Sequence, residues 1–176
     1  MVLHSDHGWS LGEHGEWQKF SNFEHGVRVP LIIRAPWLPQ SAGTRSRALA
    51  ELIDVLPTIA GLIGIPLPAG EVFDGKSLAP LLADPTYVVL ADAIKPFAMS
   101  QYMRCPPNSK ALWKDNGCLF TDRVNLEYMG YTIRTRTHRF TEWTMWNGSA
   151  LLPDHTPEAW PGWSCTATET SGRVQL

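Results

Sequence analysis

The stretch from Ser5 to Asn22 limits the folds open to this chain more than any other feature. Its sequence, SDHGWSLGEHGEWQKFSN, holds two pairs of an acidic residue and a histidine, Asp6-His7 and Glu13-His14, among three glycines, two tryptophans and one lysine. No apolar period of a helix or strand survives that spacing, so we predict a loop held in a specific shape. Loops carried on a rigid scaffold are frequent sites of function.

The composition is that of a globular chain with a single core. Its length of 176 residues is enough for one domain with a core of its own and too short for two domains of ordinary size. Its hydrophobic content of 44% and charged content of 18% are typical of globular proteins. The formal net charge of −2 argues against a nucleic-acid partner, because domains that bind nucleic acid are clearly basic.

Strand and helix signals lie on both sides of the loop. Residues 1–5 are predicted to be the end of a buried parallel strand, and residues 27–34, which are β-branched and apolar, a second strand. A helix is predicted to begin near Asp54, with Asp54 as its cap and Pro57 in its first turn. Gly64 is predicted to end that helix.

The apolar residues around this helix have the spacing of one amphipathic face. They are Leu49, Leu52, Ile53, Leu56, Ile59, Ala60 and Ile63. A further amphipathic helical turn is predicted over residues 77–82, between Gly75 and Pro85.

The second half of the chain is predicted to be rich in strands. Residues 87–103 indicate one or two strands, and residues 130–136 and 139–144 alternate with the period of a β-hairpin around Thr137-His138. From Pro153 onward no period is visible, which predicts an irregular tail.

The cysteines leave two interpretations open. Cys105 and Cys118 could form one bridge with Cys165 left over, or all three could be unlinked thiols. The sequence shows no signal peptide and no apolar run long enough to span a membrane. Asn147-Gly148-Ser149 has the form of a glycosylation sequon.

The opening loop carries residue types that suit metal and anion chemistry. Asp6 offers a carboxylate at a strand end, and His7 adds a nitrogen, a ligand that is normal for zinc and unusual for calcium. Lys19 could hold a tetrahedral anion. The alternative for Asp6-His7-Gly8 is a turn closed by an aspartate side chain, and His4, His14 and His25 could equally be structural histidines.

Several segments, taken in order, resemble the carboxyl-terminal part of a sulfatase of the alkaline-phosphatase-like superfamily. They are SDHGWSLGEHGEWQKFSNFE, GVRVPLIIRAP, LIDVLPTIAGLIGIPLP, FDGKSLAPLL, MSQYMR and MGYTIRTRTHRFTEW. The resemblance covers residues 1–146, and the first 34 residues carry most of its specificity. Within the family, EHGEWQKFSNFE and MGYTIRTRTHRFTEW look most like the iduronate-2-sulfatase branch.

The resemblance implies a fold and a division of the chain. The fold would be α/β, a fragment of an alkaline-phosphatase-like sandwich with a smaller carboxyl-terminal antiparallel β-rich subdomain. Residues 1–84 would be the last part of the α/β domain, residues 85–150 the β-rich subdomain and residues 151–176 a tail.

The resemblance also implies roles for individual residues. Asp6 and His7 match the family's late pair of calcium ligands, and Lys19 matches the lysine that grips the sulfate group. The implied partner is a sulfated glycan, with no nucleic acid or membrane, in the lysosome or secretory pathway. Three arginines of the hairpin, Arg134, Arg136 and Arg139, could meet an acidic glycan or be solvated charges of an exposed strand face.

One part of the family pattern is missing. Sulfatases use a Cys-x-Pro-x-Arg motif whose cysteine becomes formylglycine, and none of the three cysteines lies in such a motif. We therefore expect a truncated chain that is inactive by itself. The alternatives are an inactive metal-binding fragment and a phosphoesterase of the same superfamily, for which the aspartate and histidine would favour zinc.

Overall fold

The structure of the chain is a computed structural model that describes residues 1–84, 93–106, 117–159, 162–167 and 174–175. These residues form short helices and antiparallel strand pairs, arranged in one five-stranded sheet and three two-stranded sheets. This mixture of helix and strand is compatible with the predicted α/β class. In the part that is described, no helix is long and apolar enough to cross a membrane.

The first half of the chain is built from short elements. Its strands are β1 (Val2–His4), β2 (Ser10–Leu11), β3 (Trp17–Gln18), β4 (Leu31–Ile33) and β5 (Arg45–Ser46). Its helices are α1 (Glu24–Val27), α2 (Val55–Ile63) and α3 (Ala79–Ala83).

The prediction for residues 1–5 is wrong in its details. β1 pairs with β4 in the antiparallel sense, with Val2 opposite Ile33, and the side chain of Leu3 is 55% exposed. An apolar run of this length specifies neither the direction of its partner strand nor burial on both faces. The strand still leads directly into Asp6.

The second predicted strand is shorter than residues 27–34. Its first residue, Val27, ends the helical turn α1, and β4 begins only at Leu31, immediately after Pro30. Because proline has no N–H to donate to a strand ladder, the pairing starts on its far side.

The helix prediction is confirmed for the two ends and wrong for the cap. The Asp54 side chain makes no capping bond to α2 and accepts instead from the main-chain N–H groups of Glu51 and Lys76. α2 follows a short 3-10 turn that ends at Asp54, has Pro57 as its third residue, and stops at Gly64, whose φ is +71°. Glycine adopts this left-handed conformation without the steric cost that a side chain would add.

Most of the apolar face of this helix is turned outward, which the amphipathic pattern alone would not predict. Leu52, Ile53, Leu56, Ile59 and Ile63 are all more than a third exposed, whereas Thr58 and Ala60 are buried. The core of this half instead collects around β4 and α3, from Leu31 and Ile33 to Leu81 and Leu82. The predicted helical turn at residues 77–82 appears two residues later, as α3.

The second half forms the larger sheet. Its strands are β6 (Ala98–Arg104), β7 (Tyr128–Arg134), β8 (His138–Asn147), β9 (Leu152–Asp154) and β10 (Gly162–Ala167), and β11 (Val174–Gln175) follows. The predicted hairpin is confirmed as β7 and β8, with Arg134 opposite Arg139. Its turn is Arg136-Thr137, one residue earlier than predicted, closed by the Thr135 N–H donating to the His138 carbonyl at 2.8 Å.

The tail is not irregular where it is described. β9 and β10 each pair with β8, and β11 pairs with β5. Strands added at a sheet edge are held by main-chain hydrogen bonds, so they need no alternating pattern of their own. The predicted strand over residues 87–103 corresponds to β6, while residues 85–92 lie outside the described ranges. The domain boundary placed near residue 84 stays a prediction.

One of the two interpretations of the cysteines is confirmed. Cys105 and Cys118 form a disulfide, with their Cα atoms 5.7 Å apart. The bridge lies beside Leu126, Met129 and Trp146 in a small apolar cluster under the larger sheet.

Candidate functional site

The Asp6-His7-Gly8 turn directly follows β1 and is fixed from two sides. The hydroxyl of Ser5 donates to the His7 carbonyl at 2.8 Å, and the Gly8 N–H donates to the carbonyl of Gly26 at 2.9 Å. The second bond joins the turn to α1, nearly twenty residues further along the chain. The turn is therefore positioned by tertiary structure as well as by its own sequence.

Gly8 is required by this close approach. A Cβ atom at Gly8 would lie 1.9 Å from the carbonyl oxygen of His25, and backbone atoms cannot move aside as a flexible side chain could. Only glycine lets the turn pack this closely on α1. The glycine of the Asp-His-Gly motif thus has a steric reason in this fold.

The ring of His7 has a defined tautomer. Its Nδ1 lies 2.8 Å from the Gly8 carbonyl oxygen, which can only accept, so Nδ1 carries the proton. Nε2 is then left with a lone pair, and the Nζ of Lys19 lies 3.1 Å from it. A carbonyl that orients one ring nitrogen so that the other can act as a ligand is a common arrangement in metal sites.

Asp6 presents its carboxylate to solvent next to this ring. Its Oδ1 accepts from the His7 N–H at 3.1 Å, its Oδ2 lies 3.5 Å from His7 Nε2, and the side chain is 82% exposed. The Asp6 side chain bonds the next N–H and not that of Gly8, which donates to the Gly26 carbonyl, so the expected turn closed by an aspartate side chain is not formed. The convergence of side chains expected for a ligand site is present. We refer to Asp6, His7 and Lys19 as the ligand triad.

The donor set fits a metal ion only in part. No group of three or more histidine, cysteine, aspartate or glutamate side chains that could hold a metal occurs among the residues described. Calcium takes six to eight oxygen ligands, and the ligand triad offers one carboxylate, one imidazole nitrogen and a cation. Asp6 and His7 can supply part of a metal site whose other ligands come from elsewhere.

The second acidic residue and histidine of the loop have structural roles. Glu13 Oε2 accepts from the Leu11 N–H at 2.6 Å, and this bond is the main reason that the pKa of Glu13 is lowered. The ring of His14 stacks on Phe23 at 4.4 Å between centroids, while its φ of 58° places it in the left-handed region. These contacts shape the small hairpin of β2 and β3.

Two of the three hairpin arginines are paired inside the protein, so neither of the expected roles is correct for them. The side chains of Arg139 and Arg134 are 7% and 14% exposed, and both contact the carboxylate of Glu24. Arg139 makes a hydrogen-bonded ion pair with Glu24, and Arg134 Nε lies 3.3 Å from it. A glycan could not reach these guanidinium groups without breaking the pairs.

The same cluster ties the opening loop to the larger sheet. Arg139 Nη1 donates to the Asn22 carbonyl at 2.6 Å, and Asn22 Nδ2 donates to the carbonyl of Gly130 at 3.0 Å. We call Asn22, Glu24, Arg134 and Arg139 the arginine clamp. Burial alone would raise the pKa of Glu24, but the hydrogen bonds and charges of the two arginines outweigh it and hold that pKa below 4.5.

A second link supports the loop closer to Lys19. Arg104, at the end of β6, donates from Nη1 to the Phe20 carbonyl at 2.8 Å and from Nη2 to Glu16 at 2.6 Å. The residue after Lys19 is thus fixed to the larger sheet. Sequence patterns did not single out Glu16, Asn22, Glu24 or Arg104. The predicted hairpin did contain one signal of the clamp, since it places Arg134 opposite Arg139. Like charges directly opposite each other are unfavourable, so this pair indicates an acidic partner elsewhere in the chain.

Comparison with known proteins shows what the loop is similar to. A model of the family described as Sulfatase matches residues 1–65, the part that contains the ligand triad. Residues 1–65 therefore resemble the corresponding part of a sulfatase.

Individual relatives extend the similarity beyond that segment. The chain is 31% identical to iduronate 2-sulfatase of Mus musculus and 33% identical to that of Homo sapiens, in each case over 86% of this chain and 33% of the relative. It is 33% identical to steryl-sulfatase of Homo sapiens over 68% of this chain and 20% of the relative. The chain spans about a third of the length of the iduronate 2-sulfatases that it matches.

Proposed function

We propose that this chain forms the metal-binding and sulfate-binding half of a sulfuric ester hydrolase. The observation that carries the proposal is the convergence of Asp6, His7 and Lys19, with Lys19 Nζ 3.1 Å from His7 Nε2, inside the segment that the sulfatase model matches. Residues twelve positions apart meet here because β2 and β3 fold the loop back on itself.

Asp6 and His7 would hold a calcium ion together with ligands from outside this chain. Bound there, the ion would supply positive charge that favours a sulfate group over water. Lys19 would place its ammonium group against the non-bridging sulfate oxygens and stabilise the negative charge that builds up as the ester bond breaks. In the structure this ammonium contacts His7 Nε2, so it would move toward the sulfate when a metal takes that lone pair.

The proposed substrate is a sulfated glycosaminoglycan end, such as a sulfated uronic acid. The support is the similarity to two proteins named iduronate 2-sulfatase over most of this chain. On the same similarity we propose a role in glycosaminoglycan degradation in the lysosome or secretory pathway. The alkaline-phosphatase-like sandwich and the domain division at residues 84 and 150 are part of this proposal.

We further propose that this chain does not turn over sulfate esters by itself. It contains no Cys-x-Pro-x-Arg motif, and hydrolysis requires a nucleophile within contact of the sulfur. Purified chain should leave a generic aryl sulfate intact. Turnover by the chain that is lost on Lys19→Ala would contradict this inactivity. Absence of the motif from every reading frame upstream of Met1 in the gene would instead contradict the proposal that the chain is part of a sulfuric ester hydrolase.

Anion binding tests the site without requiring turnover. Sulfate titrated into the full chain in the presence of calcium should shift the NMR signals of His7 and Lys19, and Lys19→Met should weaken that binding by at least several-fold. Lys76→Met is the matched control, because Lys76 is also exposed and contacts Asp54 through its main chain. Equal loss in both variants would mean that sulfate binds non-specifically.

A zinc-dependent phosphoesterase is the second candidate. The imidazole nitrogen of His7 favours it, because nitrogen is a normal zinc ligand, and one relative, 36% identical over 48% of this chain, is named a multifunctional alkaline phosphatase superfamily protein. Parallel titrations with calcium and zinc separate the two. Zinc binding that is lost on His7→Ala, with phosphate preferred over sulfate, would favour the phosphoesterase.

A further inference from the structure

The turn after β8 carries the one Asn-x-Ser/Thr tripeptide of the sequence, Asn147-Gly148-Ser149. β8 and β9 stay paired up to Asn147 and Leu152, so the tripeptide opens the turn that connects them. Both Asn147 and Ser149 are exposed. A sequon in this position is accessible to an enzyme that modifies the folded or folding chain.

The geometry of the turn leaves the reactive nitrogen of Asn147 outside the local bonding. The side-chain oxygen of Asn147 accepts from the N–H of Ser149 at 3.1 Å and from the N–H of Ala150 at 3.0 Å. Both bonds use the carboxamide oxygen and neither uses Nδ2. The carboxamide is therefore held in one orientation by its oxygen while its nitrogen keeps its protons for reaction.

The middle residue of the tripeptide fixes the turn to the protein. A Cβ on Gly148 would lie 2.0 Å from the carbonyl oxygen of Val124, so the main chain packs there without room for a side chain. The neighbouring Trp146 donates from Nε1 to the Arg123 carbonyl at 2.8 Å. The turn rests on residues 123–124, and the side chain of Asn147 projects from a fixed base.

The disulfide supplies independent information about the compartment. Disulfides persist in oxidising compartments such as the endoplasmic reticulum and are rare in the cytosol. Cys105 and Cys118 are joined, and Trp146 packs against their cluster. Disulfide formation and the attachment of N-linked glycan both take place in the endoplasmic reticulum, so the bridge supports a modification at the sequon.

We propose that Asn147 is an N-glycosylation site. Nδ2 forms a bond to the anomeric carbon of the reducing-end N-acetylglucosamine of a lipid-diphosphate-linked oligosaccharide. The bond from that carbon to the diphosphate oxygen breaks, the lipid diphosphate leaves with the electron pair, and Nδ2 loses one proton. No oxidation or reduction is involved, and the site does not depend on the proposed sulfatase function.

A glycan at this position would also cover apolar surface. Val124, Leu151 and Leu152 around the turn are each exposed by 45% or more. Exposed apolar side chains that lie close together promote association unless something covers them. We expect the first sugars to lie over this patch, so the deglycosylated chain should aggregate more readily than the glycosylated one.

Secretion of the full chain from animal cells behind a cleavable leader tests the proposal. We expect a single step of reduced electrophoretic mobility that peptide N-glycosidase removes, with an aspartate then found at position 147 by mass spectrometry. Asn147→Gln and Ser149→Ala should each abolish the step. Ser149→Ala is the more informative variant, because it keeps the Asn147 side chain and both of its main-chain partners.

Ser149→Thr is the matched control and should keep the glycan, since threonine also supplies the hydroxyl of the sequon. Titration of free thiols verifies that each variant has formed the Cys105–Cys118 bridge and has therefore folded in the oxidising compartment. Secreted wild-type chain with the bridge formed but without glycan would overturn the proposal. A mobility step that persists in Ser149→Ala and Asn147→Gln would overturn it as well.

Discussion

The ligand triad and the arginine clamp lie in the same stretch of chain but use charge in opposite ways. Asp6 is 82% exposed, and among the residues described its carboxylate contacts only His7. Glu24, eighteen residues later, is 29% exposed and is contacted by Arg28, Arg134 and Arg139. The charges of the ligand triad are exposed to solvent. The charges of the arginine clamp are paired with one another and join the loop to the larger sheet.

This difference shows how the protein can leave the charges of Asp6 and Lys19 exposed without losing the shape of the loop. Charges held in readiness for a ligand contribute little to folding, because an exposed ion pair stabilises a protein by about 1 kcal/mol or less. The loop therefore needs other anchors, and the clamp, Arg104 and the Gly8 contact provide them. The effects of Glu24→Gln, of Gly8→Ala and of acid test whether these anchors hold the loop. A fourth prediction, for Lys19→Met, tests the ligand triad.

Glu24→Gln should have the largest effect. It leaves the buried guanidinium groups of Arg134 and Arg139 without their counter-charge, and breaking a buried ion pair by removing one partner costs about 3 kcal/mol or more. The free energy of unfolding of the full chain, measured by denaturant titration, should fall by that order.

Asp6→Asn is the matched comparison, because it removes a carboxylate of the same loop that is almost fully exposed. Exposed substitutions of this kind change stability by about 0.5 kcal/mol or less. If Glu24→Gln and Asp6→Asn lower the free energy of unfolding equally, the comparison fails, because both carboxylates would then contribute equally to stability.

Gly8→Ala should have the second largest effect. The new methyl group would lie 1.9 Å from the His25 carbonyl oxygen, so the turn must move away from α1, at a cost of about 1–3 kcal/mol. Because the moving turn carries Asp6 and His7, the contact between His7 and Lys19 should be lost as well. The NMR signals of these side chains would report that displacement.

Gly15→Ala is the control in the same loop. A Cβ there meets no atom within 4 Å, although its φ of +73° costs about 1 kcal/mol for any side chain. The ligand triad should keep its arrangement in this variant. If Gly15→Ala disturbs His7 as much as Gly8→Ala does, the position of the turn does not depend on its packing against α1.

The acid sensitivity of the clamp is a smaller effect. The pKa of Glu24 is lowered from its ordinary value of 4.5 because Arg139 and Arg134 outweigh its desolvation. A carboxylate with a lowered pKa stabilises the fold fully above its unfolded pKa, and that stabilisation is lost as the pH falls through the folded one. The denaturation midpoint of the wild type should therefore fall more steeply below pH 4.5 than that of Glu24→Gln. Parallel curves would show that the clamp does not titrate.

Local sequence signals predicted the parts of the fold that depend on neighbours in the chain. The hairpin of β7 and β8 and the end of α2 at Gly64 follow from alternation and from turn chemistry. The antiparallel pairing of β1 and the strands of the tail depend on partners far along the chain, so no local pattern contains them.

The same limit applies to the site. Asp6, His7 and Lys19 were singled out by residue type and family resemblance, and the structure places all three together. The clamp was missed because Glu24 and Arg139 are more than a hundred residues apart in the sequence. A charged residue can be recognised in the sequence, but whether it forms an ion pair depends on long-range packing.

Lys19→Met should have the smallest effect on stability and gives the sharpest test of the ligand triad. The Lys19 ammonium contacts the lone pair of His7 Nε2, so removing it frees that nitrogen without touching the clamp. The free energy of unfolding should change by about 0.5 kcal/mol or less. Zinc should then bind more tightly, because the imidazole no longer shares its lone pair and a neighbouring positive charge is gone. Titration of zinc into the wild type, Lys19→Met and the double variant with His7→Ala measures this. Unchanged affinity in Lys19→Met would mean that His7 Nε2 is not a ligand position, whereas a gain that His7→Ala abolishes would assign the lone pair to the metal.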